Sequence, residues 1–285
     1  MIKITECPRD AMQGIKQLIP ADLKANYINQ LLKVGFDTID FGSFVSPKAI
    51  PQMQDTGEVL KKLDLSKTNS KLLAIIANKR GAEDALQFNE ITYLGFPFSI
   101  SETFQQRNAN SSIQESLIRV EEIQNLCLKA NKKLLVYISM AFGNPYGDEW
   151  HADIAIDWCK KLNQLGINNL ALADTTGSSN PESITQLFSS LIPELKTVEF
   201  AAHLHSTQLQ APGKIEAAYK SGCRSFDVAI HGFGGCPMAS DALTGNVPTE
   251  SLELFADTNN IQLNLNKEEL HKCYENSWEI FNNYH

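Results

Sequence analysis

Short apolar runs alternate with longer stretches of helical periodicity along the whole chain. The runs at 72–76 and 134–138 are almost entirely apolar, which is typical of parallel strands covered on both faces. The pattern predicts eight strands near 2–6, 36–42, 71–78, 91–99, 133–142, 168–174, 198–205 and 225–231, with helices between them. This order favours an α/β fold, a (β/α)8 TIM barrel formed by a single domain at 1–285.

Helix start signals support the alternation. Proline in the first turn and oxygen-bearing caps are typical of helix N-termini, and they occur at 20–22, 111–115 and 180–182. A further start at Pro248 predicts C-terminal helices over 248–285, which close a barrel of about 1–247. The alternative, an open doubly wound sheet, would carry a glycine-rich phosphate turn after its first strand, where this chain has CPRD at 7–10.

Composition limits the classes of function. The chain has 43% hydrophobic residues and no run approaching the roughly 20 apolar residues of a membrane span, and no secretion leader is visible, so we expect a soluble protein. A net charge of -8 argues against general nucleic-acid binding. The six cysteines are scattered without a CxxC pair, which indicates buried thiols in the reducing cytoplasm rather than disulfides or zinc sites.

Polar residues follow the predicted strands. The C-terminal ends of the strands of a TIM barrel meet at one face, where catalytic side chains lie. The residues at these positions are Arg9, Asp10, Asp40, Ser43, Asn78, Asp174, His203 and His205, and a glycine-rich loop follows strand eight. We therefore expect these side chains to converge on one mouth.

His203-Leu204-His205 is the most informative motif, because alternation along a strand places both imidazoles on the barrel side. An isolated HxH is more often structural than metal-binding. Together with Asp10 and Asn246, however, the pair predicts a metal site. Two imidazoles, a carboxylate and an amide oxygen favour Mg2+ or Mn2+, while Co2+, Fe2+ and Zn2+ stay open.

The acidic candidates each have a structural explanation as well. Asp10 is either a helix cap paired with Arg9, or a metal-bound carboxylate beside a guanidinium that stabilises negative charge on oxygen. Asp40 and Asp174 are loop caps by default, but at a shared mouth they would orient ligands or transfer protons. We expect the second role for both.

The loop at 232–237 has the sequence GFGGCP. Its simplest explanation is a tight turn with a buried cysteine, whereas its glycines also permit a mobile lid that carries Cys236 to substrate as an acid or base. His231, just before this loop, and His151 are expected to lie at the surface or in packing, without a role.

These motifs resemble those of the 3-hydroxy-3-methylglutaryl-CoA lyases, a branch of the barrel metallo-lyases related to isopropylmalate and homocitrate synthases. The resemblance spans nearly the whole chain and rests on ECPRD with Gln13 at 6–13, SFVSPK and PQM at 43–53, DT at 174–175, HLH at 203–205, and GGCP leading to GN at 234–246. SFVSPK and GGCP are specific to the lyase branch, whereas RD and HxH occur throughout the wider group.

The resemblance implies roles for individual residues. Asp10, His203, His205 and Asn246 would bind the divalent metal. Arg9 would stabilise a thioester enolate, and Cys236 would be the catalytic thiol on a mobile loop. The other candidates for substrate binding are Gln13, Ser43, Lys16 and Lys48, with Lys79, Arg80 and Arg107 as further cations for the CoA tail. Departures from the family pattern at Ala11, Asp40, Ala171 and Ser206 leave the exact substrate open.

The implied reaction is the retro-Claisen cleavage of 3-hydroxy-3-methylglutaryl-CoA to acetyl-CoA and acetoacetate, as in leucine degradation and ketone body formation. Asp10 or His203 would take the hydroxyl proton, and Cys236 would protonate the enolate. The partner is an acyl-CoA, and the assembly is compatible with a homodimer. The alternatives are a 4-hydroxy-2-oxoacid aldolase or an acetyl-CoA-dependent synthase of the same barrel group, and a non-catalytic barrel that binds metal or CoA.

Overall fold

A computed structural model describes residues 1–235 and 244–284. In them, eight parallel strands form a closed barrel in chain order, and the first strand pairs with the last. The predicted (β/α)8 TIM barrel is therefore confirmed. The strands are β1 (Lys3–Glu6), β2 (Thr38–Ser43), β3 (Lys71–Ile75), β4 (Ile91–Ser99), β5 (Lys133–Ser139), β6 (Asn169–Ala173), β7 (Glu199–His203) and β8 (Ser225–Val228).

Helices follow the strands along the chain. They are α1 (Pro8–Gln13), α2 (Ala21–Val34), α3 (Thr56–Lys61), α4 (Lys79–Ala85), α5 (Glu102–Ala109), α6 (Ile113–Lys129), α7 (Ala152–Gln164), α8 (Pro181–Glu194), α9 (Ala211–Lys220), α10 (Thr249–Thr258) and α11 (Lys267–Phe281). Short 3-10 turns lie at Pro51–Met53 and Ile230–Gly232. The last two helices confirm the predicted C-terminal addition to the barrel.

Local sequence explains several helix boundaries. Ser112 and Glu115 form a capping box at the start of α6, in which each side chain bonds the backbone of the other residue. Asn180 caps α8 by accepting from the backbone N–H of Ser183, and Pro181 occupies the first turn. These are the start signals that the sequence contains.

Several strands are shorter than the apolar runs suggested. Strand β3 ends at Ile75, so Asn78 does not end a strand. Its side chain instead accepts a hydrogen bond from the backbone N–H of Gly81 at 2.9 Å and caps α4. The expectation that Asn78 ends the third strand is wrong, and its side-chain oxygen instead satisfies a free amide of the next helix.

The core separates into two parts. Residues on the outer face of the strands pack with the helices in one large cluster, which includes Phe226 and Val228 of β8. A smaller apolar group that includes Leu73 and Tyr137 lies apart from it. Five cysteines are free and buried as predicted, namely Cys7, Cys127, Cys159, Cys223 and Cys273. None of the helices in 1–235 and 244–284 is long and apolar enough to cross a membrane.

Candidate active site

The turn after β1 runs directly into the short helix α1. Pro8 occupies its first turn, where a missing N–H costs no helical hydrogen bond. The next two residues, Arg9 and Asp10, are 6% and 5% exposed. Two charged side chains this deeply buried need partners nearby.

Arg9 lies between two carboxylates. Its Nε donates to the Asp40 oxygens at 3.2 and 3.0 Å, and Nη2 donates to Asp40 Oδ2 at 2.5 Å. Its Nη1 donates to Asp10 Oδ1 and to Gln13 Oε1, both at 2.8 Å. Among the described residues, one Nη2 hydrogen has no acceptor, so Arg9 keeps an N–H for a substrate oxygen.

The two carboxylates differ in their affinity for protons. Burial opposes the ionised form of Asp10, but Arg9 and the neighbouring histidines lower its pKa to about 2. Burial raises the pKa of Asp40 to about 6 despite the attraction of Arg9. Burial also opposes the charge on Arg9, but Asp40 and Asp10 outweigh it and raise the Arg9 pKa. Asp10 is therefore ionised in the fold, whereas the Asp40 carboxyl group binds its proton more tightly.

The two histidines of the HxH motif lie at the end of β7. His203 is the last strand residue, and His205 forms an isolated bridge with Asn246. Their ring centroids are 5.3 Å apart. His205 Nδ1 lies 3.2 Å from the carbonyl oxygen of Thr175, which can only accept, so this nitrogen carries the proton and Nε2 keeps a lone pair.

Asp10, His203 and His205 offer ligand atoms that all lie within 4.8 Å of one another. His205 Nε2 is buried and has no hydrogen-bond partner in the described part of the chain, which is costly unless an ion or water completes it. Burial and the charge of His203 lower the His205 pKa to about 4, so its ring is neutral and able to bind a metal. These residues fit a metal ion.

A second, overlapping group consists of Cys7, His203 and Asp227, whose potential ligand atoms lie within the same distance of one another. Burial raises the pKa of the Cys7 thiol, and neighbouring carboxylates add to the effect. The thiol donates to the carbonyl oxygen of Thr5 at 3.7 Å. A protonated thiol is a poor metal ligand, so the group around Asp10 is the better candidate.

Asn246 lies beside the metal-binding group and presents its amide nitrogen to it. Nδ2 donates to Asp10 Oδ2 at 2.7 Å and to the carbonyl oxygen of Phe233 at 2.8 Å. Since both partners only accept, the orientation of the amide is fixed. Asn246 thus reaches Asp10 as a hydrogen-bond donor, and metal binding through its oxygen stays a prediction.

The glycine-rich loop packs directly on these residues. A Cβ at Gly234 would lie 2.7 Å from Asn246 Nδ2 and 2.8 Å from the backbone oxygen of Asp10, and its φ is +98°. Only glycine fits such an approach. Cys236 lies outside the described residues, so its role stays a prediction.

Asp174 follows β6 and is held by its own loop and by α9. Its oxygens accept from the N–H of Ser179 at 3.0 Å, from the Ser179 hydroxyl at 2.5 Å and from Lys214 Nζ at 2.8 Å. Lys214 also donates to the carbonyl oxygen of His205 at 2.8 Å. This geometry matches the loop-cap explanation, in which Asp174 fixes the backbone that carries His205.

The remaining substrate-binding candidates lie around the site. Gln13 belongs to it, since its Nε2 donates to Asp10 Oδ1 at 2.8 Å. Ser43 is buried at the end of β2, where its hydroxyl accepts from the N–H of Val45 at 3.2 Å and shapes the following loop. Lys16 and Lys48 are exposed in the loops after α1 and β2. As exposed cations they are available to a ligand at the rim.

Sequence reasoning missed the partner of His203. Asp227 Oδ2 lies 3.0 Å from His203 Nδ1, and this contact together with the charge of Asp227 raises the His203 pKa although burial opposes it. Strand β8 reads Ser-Phe-Asp-Val, so Asp227 alternates with outward-facing apolar residues. A carboxylate on the inner face of an apolar strand was the available signal.

Residues 2–276 match the model of the HMGL-like family. This chain belongs to the HMGL-like family. A hydroxymethylglutaryl-CoA lyase of Bacillus subtilis is 33% identical over 265 residues, which are 92% of this chain and 87% of that protein. A cytoplasmic 3-hydroxy-3-methylglutaryl-CoA lyase of Rattus norvegicus is 34% identical over 277 residues, 96% of this chain and 78% of that protein.

Solved structures place this HMGL-like chain in the same group. An HMG-CoA lyase from Acinetobacter baumannii, in complex with coenzyme A and 3-methylmalate, has a TM-score of 0.91 at 30% identity and covers 98% of this chain and 90% of that chain. The Bacillus subtilis HMG-CoA lyase also reaches 0.91, at 32% identity, with 98% and 93% covered. The family resemblance predicted from the motifs is confirmed.

Proposed function

We propose that this HMGL-like protein is a divalent-metal-dependent carbon–carbon lyase that cleaves 3-hydroxy-3-methylglutaryl-CoA to acetyl-CoA and acetoacetate. The observation that carries the proposal is the meeting of Asp10, His203 and His205 next to Arg9 at the C-terminal end of the barrel. Relatives named for this activity, at 33% and 34% identity over most of both chains, support it.

The reaction begins with loss of the tertiary hydroxyl proton. As the carbon–carbon bond breaks, this oxygen becomes the new carbonyl of acetoacetate, and the bonding electrons move into the thioester to form the enolate of acetyl-CoA. We assign either Asp10 or His203 as the acceptor of this proton. Asp227, 3.0 Å from His203 Nδ1, would stabilise the ring once it is protonated.

Arg9 stabilises the enolate. Its guanidinium is fixed by Asp40, Asp10 and Gln13, so it needs no rearrangement when negative charge develops on the thioester oxygen. The remaining Nη2 hydrogen is the donor that we assign to this oxygen. Asp40 thereby acts mainly through Arg9, whose position it sets.

Asp10, His203 and His205 would hold the metal ion, with Asn246 alongside. When bound, a divalent cation supplies Lewis acidity toward the substrate oxygens. We assign Mg2+ or Mn2+, because oxygen ligands of substrate would join the carboxylate, and Co2+, Fe2+ and Zn2+ are the competing ions.

Cys236 is the residue that we assign to protonate the enolate carbon. In support, the chain packs against Asp10 and Asn246 at Gly234, two residues earlier. Cys236→Ser is expected to retain fold and metal but to lose most turnover, because a hydroxyl is a far weaker acid than a thiol. Turnover at the wild-type rate would assign proton delivery to Asp40 instead.

An acyl-CoA substrate also needs cations for its phosphates. The exposed Lys16 and Lys48, on loops after α1 and β2, are assigned to this contact. A similar solved structure, at 30% identity, contains coenzyme A, which supports the substrate class.

We propose that the protein acts in leucine degradation, in the cytoplasm and as a homodimer. Relatives include cytoplasmic and mitochondrial proteins, so cell fractionation tests the compartment.

The decisive experiment measures acetoacetate release from 3-hydroxy-3-methylglutaryl-CoA by chelator-treated protein, before and after Mg2+ or Mn2+ is restored. We expect turnover only with the ion. A parallel assay of pyruvate release from a 4-hydroxy-2-oxoacid tests the aldolase alternative. Full turnover by demonstrably metal-free protein, or pyruvate release without thioester cleavage, would contradict the proposal.

A further inference from the structure

The C-terminal helix α11 reaches the glycine-rich loop through aromatic side chains. The Trp278 ring stacks on the His231 imidazole, with centroids 4.5 Å apart and planes inclined by 24°. Phe281 stacks on Phe233 at 4.1 Å, and Phe233 meets Trp278 edge-on at 5.4 Å. We call these four residues, His231, Phe233, Trp278 and Phe281, the aromatic clamp.

His231 is held in an unusual backbone conformation. Its φ is +57°, in the left-handed region that residues other than glycine rarely adopt. Its ring Nδ1 lies 2.6 Å from Glu250 Oε1 on α10, and its Nε2 lies 3.0 Å from the carbonyl oxygen of Tyr274 on α11. These two contacts, one to each ring nitrogen, fix the orientation of the imidazole against the indole of Trp278. The strain is therefore balanced by specific contacts.

The clamp connects to the metal-binding group in two hydrogen bonds. The carbonyl oxygen of Phe233 accepts from Asn246 Nδ2 at 2.8 Å, and the same nitrogen donates to Asp10 Oδ2 at 2.7 Å. Gly234 then passes so close to both residues that a Cβ would collide with them. The position of Phe233 thus determines where Asn246 and Asp10 can lie.

We infer that Trp278 and His231 are positioning residues, through which α11 fixes Asn246 and the Asp10 carboxylate for metal binding. They act on the loop backbone and touch no reacting atom. The inference deepens the proposed function, on which its effect on turnover rests. Its effect on metal affinity is independent of which substrate is cleaved.

If Trp278 acted only by packing, its loss would lower the stability of the protein without a specific effect on metal binding. The residue is 42% exposed and therefore buries more than half of its surface, so loss of its ring costs stability in either case. Trp158 on α7 offers a matched control, because it packs on Phe98 of β4 at 5.2 Å but makes no contact with the clamp. Stability and metal affinity can therefore be separated.

The test is Mn2+ titration of chelator-treated full-length protein, read by the EPR signal of free Mn2+. We expect Trp278→Ala to raise the Kd about 10-fold, the size typical of lost outer contacts to metal ligands, and Trp278→Phe to restore most of the affinity. Trp158→Ala should leave the Kd unchanged. Wild-type affinity in a folded Trp278→Ala protein, or an equal loss in Trp158→Ala, would overturn the inference.

A second variant tests the path itself. His231→Asn keeps a residue that tolerates the left-handed backbone but removes the ring, so it should weaken Mn2+ binding as Trp278→Ala does. Because both residues act through Phe233, the double variant should bind Mn2+ no more weakly than either single variant. Additive losses would overturn the shared path. If the wild type fails to cleave the thioester, the proposed function fails. The Mn2+ affinities of these variants would still show whether the aromatic clamp positions the metal-binding residues.

Discussion

The two ends of strand β1 carry charges in opposite environments. At the N-terminal end, Lys3 pairs with Glu199 at 2.7 Å, and the two side chains are 52% and 45% exposed. At the C-terminal end, Glu6 is fully buried and accepts from the N–H of Ile230 at 2.8 Å and from the Thr249 hydroxyl at 2.7 Å. Water screens the first pair and does not reach the second carboxyl group.

The same contrast holds for the whole barrel. A cavity of about 560 Å³ opens at the N-terminal end of the strands, but charged residues on its rim such as Lys3 and Lys71 are exposed. The C-terminal end instead buries Arg9, Asp10 and Asp40 together. Buried charges with shifted pKa values, rather than the size of a cavity, therefore identify the functional end.

The largest expected effect is on the free energy of unfolding and comes from Glu6. Burial raises its pKa to about 8, although Thr249 and Ile230 donate hydrogen bonds to the carboxylate and partly oppose the rise. An unfolded glutamate has a pKa of about 4.3, so the folded chain binds this proton more tightly. The stabilisation is complete below pH ~4.3 and is lost as the pH rises to about 8, by at most on the order of 5 kcal/mol.

The side chain of Glu6→Gln is neutral at every pH and can retain both hydrogen bonds. The free energy of unfolding of the variant should therefore lack the pH-dependent contribution of the Glu6 carboxyl group. Urea unfolding at pH 5, 7 and 9 should show the variant gaining on the wild type as the pH rises. A difference between the two proteins that is constant from pH 5 to 9 would show that Glu6 is already ionised in the fold.

Arg9→Gln addresses the buried charge that faces the reaction. Loss of the enolate contact should lower kcat by at least ~100-fold, or about 2.7 kcal/mol, with a smaller effect on substrate binding. Lys3→Gln, at the other end of the barrel, should leave turnover within about 2-fold of wild type, as expected for an exposed charge. Near-normal kcat in folded Arg9→Gln protein would remove Arg9 from the mechanism.

Much of the site at the C-terminal end of the barrel could be predicted from sequence. Strand ends and the alternation of residues are local properties, and they sufficed to bring Arg9, Asp10, Asp40, His203 and His205 together. For Asp174 the sequence left two explanations, because a lone carboxylate after a strand either caps its loop or faces substrate. Its buried partner Lys214, 40 residues later, makes the contact that the cap requires, and the predicted role in orienting ligands or transferring protons stays a prediction.

Long-range partners could not be predicted. Asn246 was expected beside Asp10, but not the turn of its nitrogen toward that carboxylate across 236 residues. The contact of Asp227 with His203 across 24 residues was not expected. Each contact depends on the closure of the barrel, which no local pattern encodes. The role of His231 depends likewise on where α11 packs.

Asp227→Asn tests the second of these partners, with a smaller expected effect than Arg9→Gln. The amide keeps the shape but loses the charge that orients the His203 ring, so Mn2+ affinity should fall about 10-fold, or about 1.4 kcal/mol. Asp64→Asn is the control, because Asp64 is exposed and caps a surface turn with Ser66. Equal Mn2+ affinities of the Asp227 and Asp64 variants would show that Asp227 does not act on the metal site.

The smallest effect is expected for the exposed pair at the start of β1. Lys3 and Glu199 meet at 2.7 Å, yet both are about half exposed. A double-mutant cycle with Lys3→Ala and Glu199→Ala should give a coupling of less than ~1 kcal/mol, because water and salt screen the attraction and two flexible side chains lose entropy. At about 1 M salt the Debye length is roughly 3 Å, so most of this coupling should disappear. A coupling of several kcal/mol that persists in salt would show that the N-terminal end also holds its charges away from water, and the contrast between the two ends would fail.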